Sequence, residues 1–195
     1  QGEPGTTLTL TVRRNNEDIP FEIVRKNFEI PTVQYRMVDS NAYIKISQFT
    51  SATETQFSKA IAEAQKSGAT GIIFDLRDNP GGLVEAATNM LDSLLPELFT
   101  QALRDYEKAK SVGTTTYGKG VMQNIEQLSD GSAIEYTVAT YATAKSENFN
   151  GVGIKPDFEV TSALDSASQP AFADVSVDND EQFKKAVEVV NTLKQ

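Results

Sequence analysis

The sequence predicts an α/β fold with a β-rich N-terminal portion, and three observations lead there. Thr6 to Arg14 alternates threonine with Leu8, Leu10 and Val12, the period of two of a half-buried strand. Thr53 to Ser67 sets Phe57, Ala60, Ile61 and Ala64 at helical spacing. The continuous apolar run Gly71-Ile72-Ile73-Phe74-Asp75-Leu76 then follows that helix and ends in a glycine-rich turn, as buried strands of a largely parallel sheet do.

Taken in order, Gly2-Glu3-Pro4-Gly5 is a turn ahead of the first strand, and Phe21 to Val24 and Ala42 to Phe49 read as further strands. Thr53 is the expected N-cap of the helix, and Gly68 stands just past its end. After Leu76 comes Arg77-Asp78-Asn79-Pro80-Gly81-Gly82, and a new helical pattern starts at Leu83. Strand, glycine-rich turn and helix is the arrangement at which open α/β sheets hold ligands, because backbone N–H groups converge at the carboxyl end of the strand. Ile134 to Thr143 reads as a strand, Asp157 to Val160 as a short one, and the Ser/Ala-rich Ser162 to Val177 as a loop. Asp180 to Leu193 carries Phe183, Ala186, Val187 and Val190 on one face and reads as a helix with acidic residues near its start.

With 195 residues and 39% apolar content, the chain can bury a substantial core. A net charge of −9, with no run of Lys or Arg longer than two, argues against a nucleic-acid partner. No apolar run approaches the roughly 20 residues of a membrane span, and the first residues do not follow the order of a signal peptide. There is no Cys and no His. That excludes disulfides, Cys-ligated zinc, a Cys nucleophile and any imidazole base. Proton transfer in a hydrolase of this composition falls to Asp, Glu, Lys or Tyr, or to a metal held by carboxylates alone.

The helical pattern of Leu83 to Leu95 runs directly into a second one from Glu97 to Ala109, with only Pro96 between. An alternating fold should place a strand there, so a piece is expected to be missing between Pro96 and Glu97; the alternative is a Pro-kinked helix. Lys119, in Thr116-Tyr117-Gly118-Lys119-Gly120, reads either as a surface turn or as a general base, and the second needs a buried setting and an orienting partner such as Gln123. Asn79-Pro80-Gly81-Gly82 reads either as an ordinary connection or as an oxyanion site built from backbone N–H groups. Asp75, Arg77 and Asp78 read as a structural ion pair and cap.

Several separated motifs, in order, resemble the carboxyl-terminal processing (tail-specific) proteases, serine peptidases of the S41 type. Gly2-Glu3-Pro4-Gly5-Thr6 with Leu8 to Arg14 is similar to the last strand of the PDZ domain that precedes their core. Tyr43-Ile44-Lys45-Ile46-Ser47-Gln48-Phe49 resembles their first core strand, and Ile73 to Gly82 their most recognisable motif. Glu97 to Val112 looks like the helix after the nucleophile, Thr116 to Gln123 like the base motif, and Gly153-Ile154-Lys155-Pro156-Asp157 like an element near the end.

The resemblance implies a ClpP/crotonase-like α/β core and a Ser-Lys mechanism without histidine. Lys119 takes the place of the base, Gln123 of its holder, and Glu97 of the glutamate that follows the serine; a backbone N–H of Gly81 or Gly82 would serve the oxyanion. Three residues before Glu97, however, stands Leu94, so the nucleophile is absent, and Ser93 belongs to another motif. Roughly forty family positions are missing at the junction that is already anomalous on helical grounds. Three origins are open: residues present in the molecule but not in the sequence as read, a deliberate deletion, or a natural variant. The first is preferred, because a real deletion would remove a sheet strand with the serine and damage the core.

The implied organisation is residues 1–14 as a PDZ remnant with more chain upstream, 15–161 as the protease core, and 162–195 as a loop and C-terminal helix. The resemblance further implies a protein or peptide substrate with a free C-terminus, no cofactor or metal, and an extracytoplasmic location. It leaves open a homo-oligomer and a membrane attachment outside this chain. The rival expectation is a catalytically inactive binding or scaffold module on the same fold.

Overall fold

Two consecutive asparagines shape the N-terminal segment. Asn15 and Asn16 both take left-handed conformations, φ 53° and 63°. That is the geometry of a two-residue hairpin turn whose twist matches the strands it joins. Strands β1 (Thr7–Arg14) and β2 (Glu17–Val24) accordingly pair antiparallel from Arg14↔Glu17 to Thr7↔Val24. Leu8↔Ile23, Leu10↔Phe21 and Val12↔Ile19 are cross-strand neighbours. The second strand thus begins earlier than its apolar residues suggest, because the turn sets the register. The computed structural model describes residues 2–82, 96–140, 142–143, 145–163 and 169–193. It comprises two units, Gln1–Ile30 and Pro31–Gln195. The boundary expected after Arg14 therefore falls inside a hairpin, and the first unit extends to Ile30.

In the second unit, β3 (Val33–Val38) turns at Asp39, φ 51°, into the antiparallel β4 (Asn41–Ile46). A crossover helix, α1 (Thr53–Lys66), returns the chain to β5 (Gly71–Asp75), which lies parallel to β4. The sheet order is β3-β4-β5. β4 is central, and Ala42, Tyr43, Ile44 and Ile46 are wholly inaccessible. Alternation divides this sheet between two cores. On one face Ala42, Ile44 and Ile46 pack with Phe57, Ala60 and Ala64 of α1 and with Leu98 and Phe99 of α2 (Pro96–Asp105). On the other, Tyr43 and Ile73 pack with Val175 and with Phe183, Val187 and Val190 of α3 (Glu181–Thr192). The result is a sheet between helical layers, the α/β arrangement expected.

The start of α1 and three of the strands depart from the sequence expectations. Thr53 does not cap α1: Ala52 holds the N-cap position, and the buried Thr53 hydroxyl instead accepts from Thr50 N at 2.8 Å and lies 2.7 Å from Thr32 Oγ1. Gly68 does stand past the end, with φ 73°, and Ala69 N donates back to Ala64 O at 3.0 Å. β3 lies outside the expected strands although Val33, Tyr35 and Met37 alternate with Gln34 and Arg36, and in β7 (Val121–Gln127), paired with β8 (Ala133–Thr140), the adjacent polar Gln123 and Asn124 break the alternation. β6 (Val112–Gly113), too short to show a period, pairs parallel with β9 (Phe158–Glu159), which lies within the short strand expected over Asp157 to Val160. The expected helix Leu83 to Leu95 lies outside the described residues.

Phe99 is 1% exposed and meets the Phe74 ring edge-on, with centroids 5.4 Å apart. Phe99→Ala removes that contact and opens a cavity, and is expected to lower unfolding stability by about 3–5 kcal/mol, read as a shift in urea midpoint.

Candidate active site

The site is assembled where β5 ends. Asp75, the last residue of β5, is buried, and its carboxylate collects four donors. Oδ2 accepts from Tyr43 Oη at 2.6 Å and Arg77 Nη2 at 2.7 Å, and Oδ1 accepts from Arg77 N and Nε, each at 3.0 Å. The remaining arm of the guanidinium, Nη1, donates to Asp180 Oδ2 at 2.7 Å. Asp180 in turn caps α3, its Oδ1 accepting from Phe183 N at 2.9 Å. Burial alone would raise the Asp75 pKa, but the hydrogen bonds and charge of Arg77 outweigh it and hold the carboxyl below the usual range. Burial and the Asp75 charge push the Tyr43 phenol well above its ordinary value, so it stays a donor.

Beyond this network the chain turns through Asp78, φ 60°, into the glycine pair. Asn79 fastens the turn at two points: Nδ2 donates to Ile46 O at 2.9 Å, and Oδ1 accepts from Gly81 N at 2.8 Å. Phe49 N donates to Gly81 O at 3.0 Å. Gly82 lies so close to the same residue that a Cβ would stand 1.9 Å from Phe49 O, and its φ is 145°. Only glycine fits there. Of the two expected oxyanion donors, Gly81 N–H is therefore engaged by Asn79, while among the described contacts no hydrogen bond uses Gly82 N–H.

The second half of the site is the loop between β6 and β7. Glu97, in the first turn of α2, accepts from Gly118 N at 2.6 Å through Oε1 and from Lys119 N at 2.7 Å through Oε2. One carboxylate thus clamps two successive backbone groups, the charge-assisted type of bond. From the other side Gly151 N donates to Gly118 O at 2.9 Å, Gly120 N to Asn150 Oδ1 at 3.2 Å, and Asn148 Nδ2 to Gly120 O at 2.8 Å. A Cβ at Gly118, φ 86°, would come within 2.6 Å of Gly153 N. The loop is fixed by its backbone, and the Lys119 side chain is left exposed on the rim. Gln123 is likewise exposed, on β7 beside a register shift at Met122/Gln123, and among the described contacts none joins it to Lys119. The burial a lysine base needs is not supplied by the described residues.

A cavity of about 1360 Å³ brings the expected residues together: Gly81, Gly82, Glu97, Lys119 and Gln123 all line it. Ser93 lies outside the described residues. Sequence reasoning assigned no role to Tyr43, Asp180 or the clamp of Glu97. The acidic start of the last helix was the one visible signal for Asp180; a contact spanning 103 residues leaves no local pattern.

A model of Peptidase family S41 matches residues 40–97 and 96–160. Curated relatives include the probable CtpA-like serine proteases of Staphylococcus haemolyticus, 29% identical over 206 residues, and Staphylococcus epidermidis, 30% identical over 205. Each alignment covers 83% of this chain and 42% of the relative. The chain thus spans about two fifths of their length. Among solved structures, the photosystem II D1 C-terminal processing protease aligns with TM-score 0.58 at 22% identity, over 82% of this chain and 57% of that one. A putative S41 protease from Bacteroides fragilis aligns with TM-score 0.62 at 14% identity, over 96% and 66%. Both share the fold.

Two outcomes are expected of the site's frame. The folded Asp75 pKa is depressed, so as pH falls the unfolded chain takes up the proton first. The stabilisation is present above about pH 4 and is lost as pH falls through the folded value. Asp75→Asn should therefore lower the urea midpoint at neutral pH and flatten its acid decline. Glu97→Gln weakens the clamp on the loop, and the amides of Gly118 and Lys119 should exchange about tenfold faster, the scale of one charge-assisted hydrogen bond, as read by hydrogen-exchange NMR.

Proposed function

This chain belongs to peptidase family S41, and on that premise we propose that its cavity is the lysine side of a Ser-Lys endopeptidase site that processes protein substrates near their C-termini. The observation that carries the reading is the convergence of Gly82, Glu97, Lys119 and Gln123 on one cavity, at the place where two stretches of family match meet. The names of the relatives, CtpA-like serine proteases, support the same chemistry.

In the complete site, a serine Oγ supplied ahead of Glu97 attacks the scissile carbonyl, and Lys119 Nζ takes its proton. The oxyanion accepts from Gly82 N–H, the donor that has no partner among the described contacts. Collapse breaks the C–N bond, and Lys119 returns the proton to the leaving amine. Water then attacks the acyl-serine, with Lys119 again as base, and releases the acid. Gln123 holds the lysine once the serine-bearing segment covers the rim and desolvates it. No step calls for a metal or cofactor. The same reading carries an extracytoplasmic location; among the described residues no helix is long and apolar enough to cross a membrane.

Two observations favour an inactive binding module instead: the sequence holds no serine three residues before Glu97, and Lys119 is exposed. Intact mass separates the two. A mass above 21.3 kDa, with peptide mapping that puts extra residues between Pro96 and Glu97, supports the peptidase, and a matching mass with an unbroken junction supports the binder. In a protein that carries the segment, Lys119→Ala should abolish turnover of a peptide substrate while leaving the fold intact by circular dichroism. Retained turnover would sink the assignment.

A further inference from the structure

The hairpin of β7 and β8 divides its side chains between two faces by register. Ile125 stands directly opposite Glu135 and Gln123 opposite Thr137, so these share one face, whereas Glu126 opposite Ile134 and Asn124 opposite Tyr136 share the other. The first face meets the cavity: Gln123, Ile125 and Glu135 line it, and among the described residues Asn124, Glu126, Ile134 and Tyr136 do not. Ile125 is 65% exposed there, and Glu135 is exposed across from it. The carboxylates elsewhere in the cavity are committed. Asp75 is paired with Arg77, Glu97 grips Gly118 N and Lys119 N, and Asp78 has a partner of its own. Glu135 has none among the described contacts, and its own hairpin cannot supply a cation, because no Lys or Arg occurs from Val121 to Thr140. The lysines of the cavity, Lys108, Lys110 and Lys119, all come from the chain between α2 and β7, and no described bond joins any of them to Glu135.

We propose that Ile125 and Glu135 form a subsite for a cationic side chain, so that the peptide segment taken into the cavity is one that carries a Lys or Arg. This names a substrate class for the site, and it rests on the peptidase reading only in taking the cavity as a place for peptide. A lysine or arginine side chain is an apolar stem that ends in a charge. An exposed isoleucine directly across from a carboxylate with no described partner is its complement: the methylenes cover Ile125, and the head pairs with Glu135. Because Glu135 is exposed, pairing costs little desolvation and gains a few-fold in affinity rather than orders of magnitude. Its larger effect is selection, since an acidic side chain at the same place meets like charge. The hairpin's other carboxylates are placed elsewhere. Glu126 lies on the opposite face, where it accepts from Tyr136 Oη at 3.5 Å, and Asp130 accepts from Ser132 N and Oγ at the turn.

The test uses this chain as it is and fluorescein-labelled hexapeptides of alanine and valine that differ at one central residue, which is lysine, glutamine or glutamate. By fluorescence anisotropy the lysine peptide is expected to bind saturably and at least about threefold more tightly than the glutamine peptide. The glutamate peptide should bind most weakly, and added salt should shrink the differences. Glu135→Gln should erase the advantage of lysine, and Glu135→Lys should invert the order. Glu126→Lys changes the net charge by the same amount on the opposite face, and it should keep the order of the unaltered chain. All these substitutions fall at exposed positions, and circular dichroism checks the fold. Absence of saturable binding, or an order that Glu135→Lys leaves unchanged, would overturn the subsite. So would inversion by Glu126→Lys as well, because the overall negative charge would then be the cause. None of these outcomes bears on the nucleophile, which intact mass and Lys119→Ala decide separately.

Discussion

The arrangement of the second unit depends on one guanidinium. Arg77 leaves the end of β5 and is held between Asp75 and Asp180, each at 2.7 Å, with both carboxylates 4% exposed. Burying these charges is costly, and the cost is offset only where every donor and acceptor is matched. Here they are: Asp75 has Tyr43 and the Arg77 backbone as further donors, and Asp180 uses its second oxygen to cap α3. The network therefore fixes three things at once, namely the direction in which the chain leaves β5, the start of α3, and the depth of Tyr43 in the sheet. Tyr43 stacks on Phe172 at 5.0 Å, and Arg36 lies over both rings and donates to Phe172 O and Val175 O, which brings the segment before α3 under the same control.

From that fixed point the site is built with backbone groups rather than packed side chains. Asn79 and Phe49 hold the glycine turn, and Glu97 with Asn148 and Asn150 holds the lysine loop. Polar anchors of this kind set a loop's position without covering it with apolar surface. This frame secures the main chain of the loop while leaving the Lys119 side chain exposed. Arg104 reinforces the far side: it contacts Asp157 at 3.0 Å, and Asp157 accepts from Ser111 N and Oγ beside β6. Burial would raise the Asp157 pKa, and these partners hold it low instead.

The sequence by itself determined the α/β class, the helices α1 and α3, and the strand β5 with its glycine turn. These are written in local periodicity and in turn residues, which act over a few positions. It also named Gly82, Glu97 and Lys119 as belonging to one site, through motifs rather than geometry. Only the tertiary structure decided which residues partner whom. That Arg77 reaches across 103 residues to Asp180, that Glu97 clamps the Lys119 loop, that Gly81 rather than Gly82 is engaged by Asn79, and that Thr53 ties a turn instead of capping a helix are all contacts between hydrogen-bonding groups distant in sequence or ambiguous within it. A donor's identity is visible in one residue. Its partner is chosen by packing, because every buried polar group must find a mate among whatever the fold brings near.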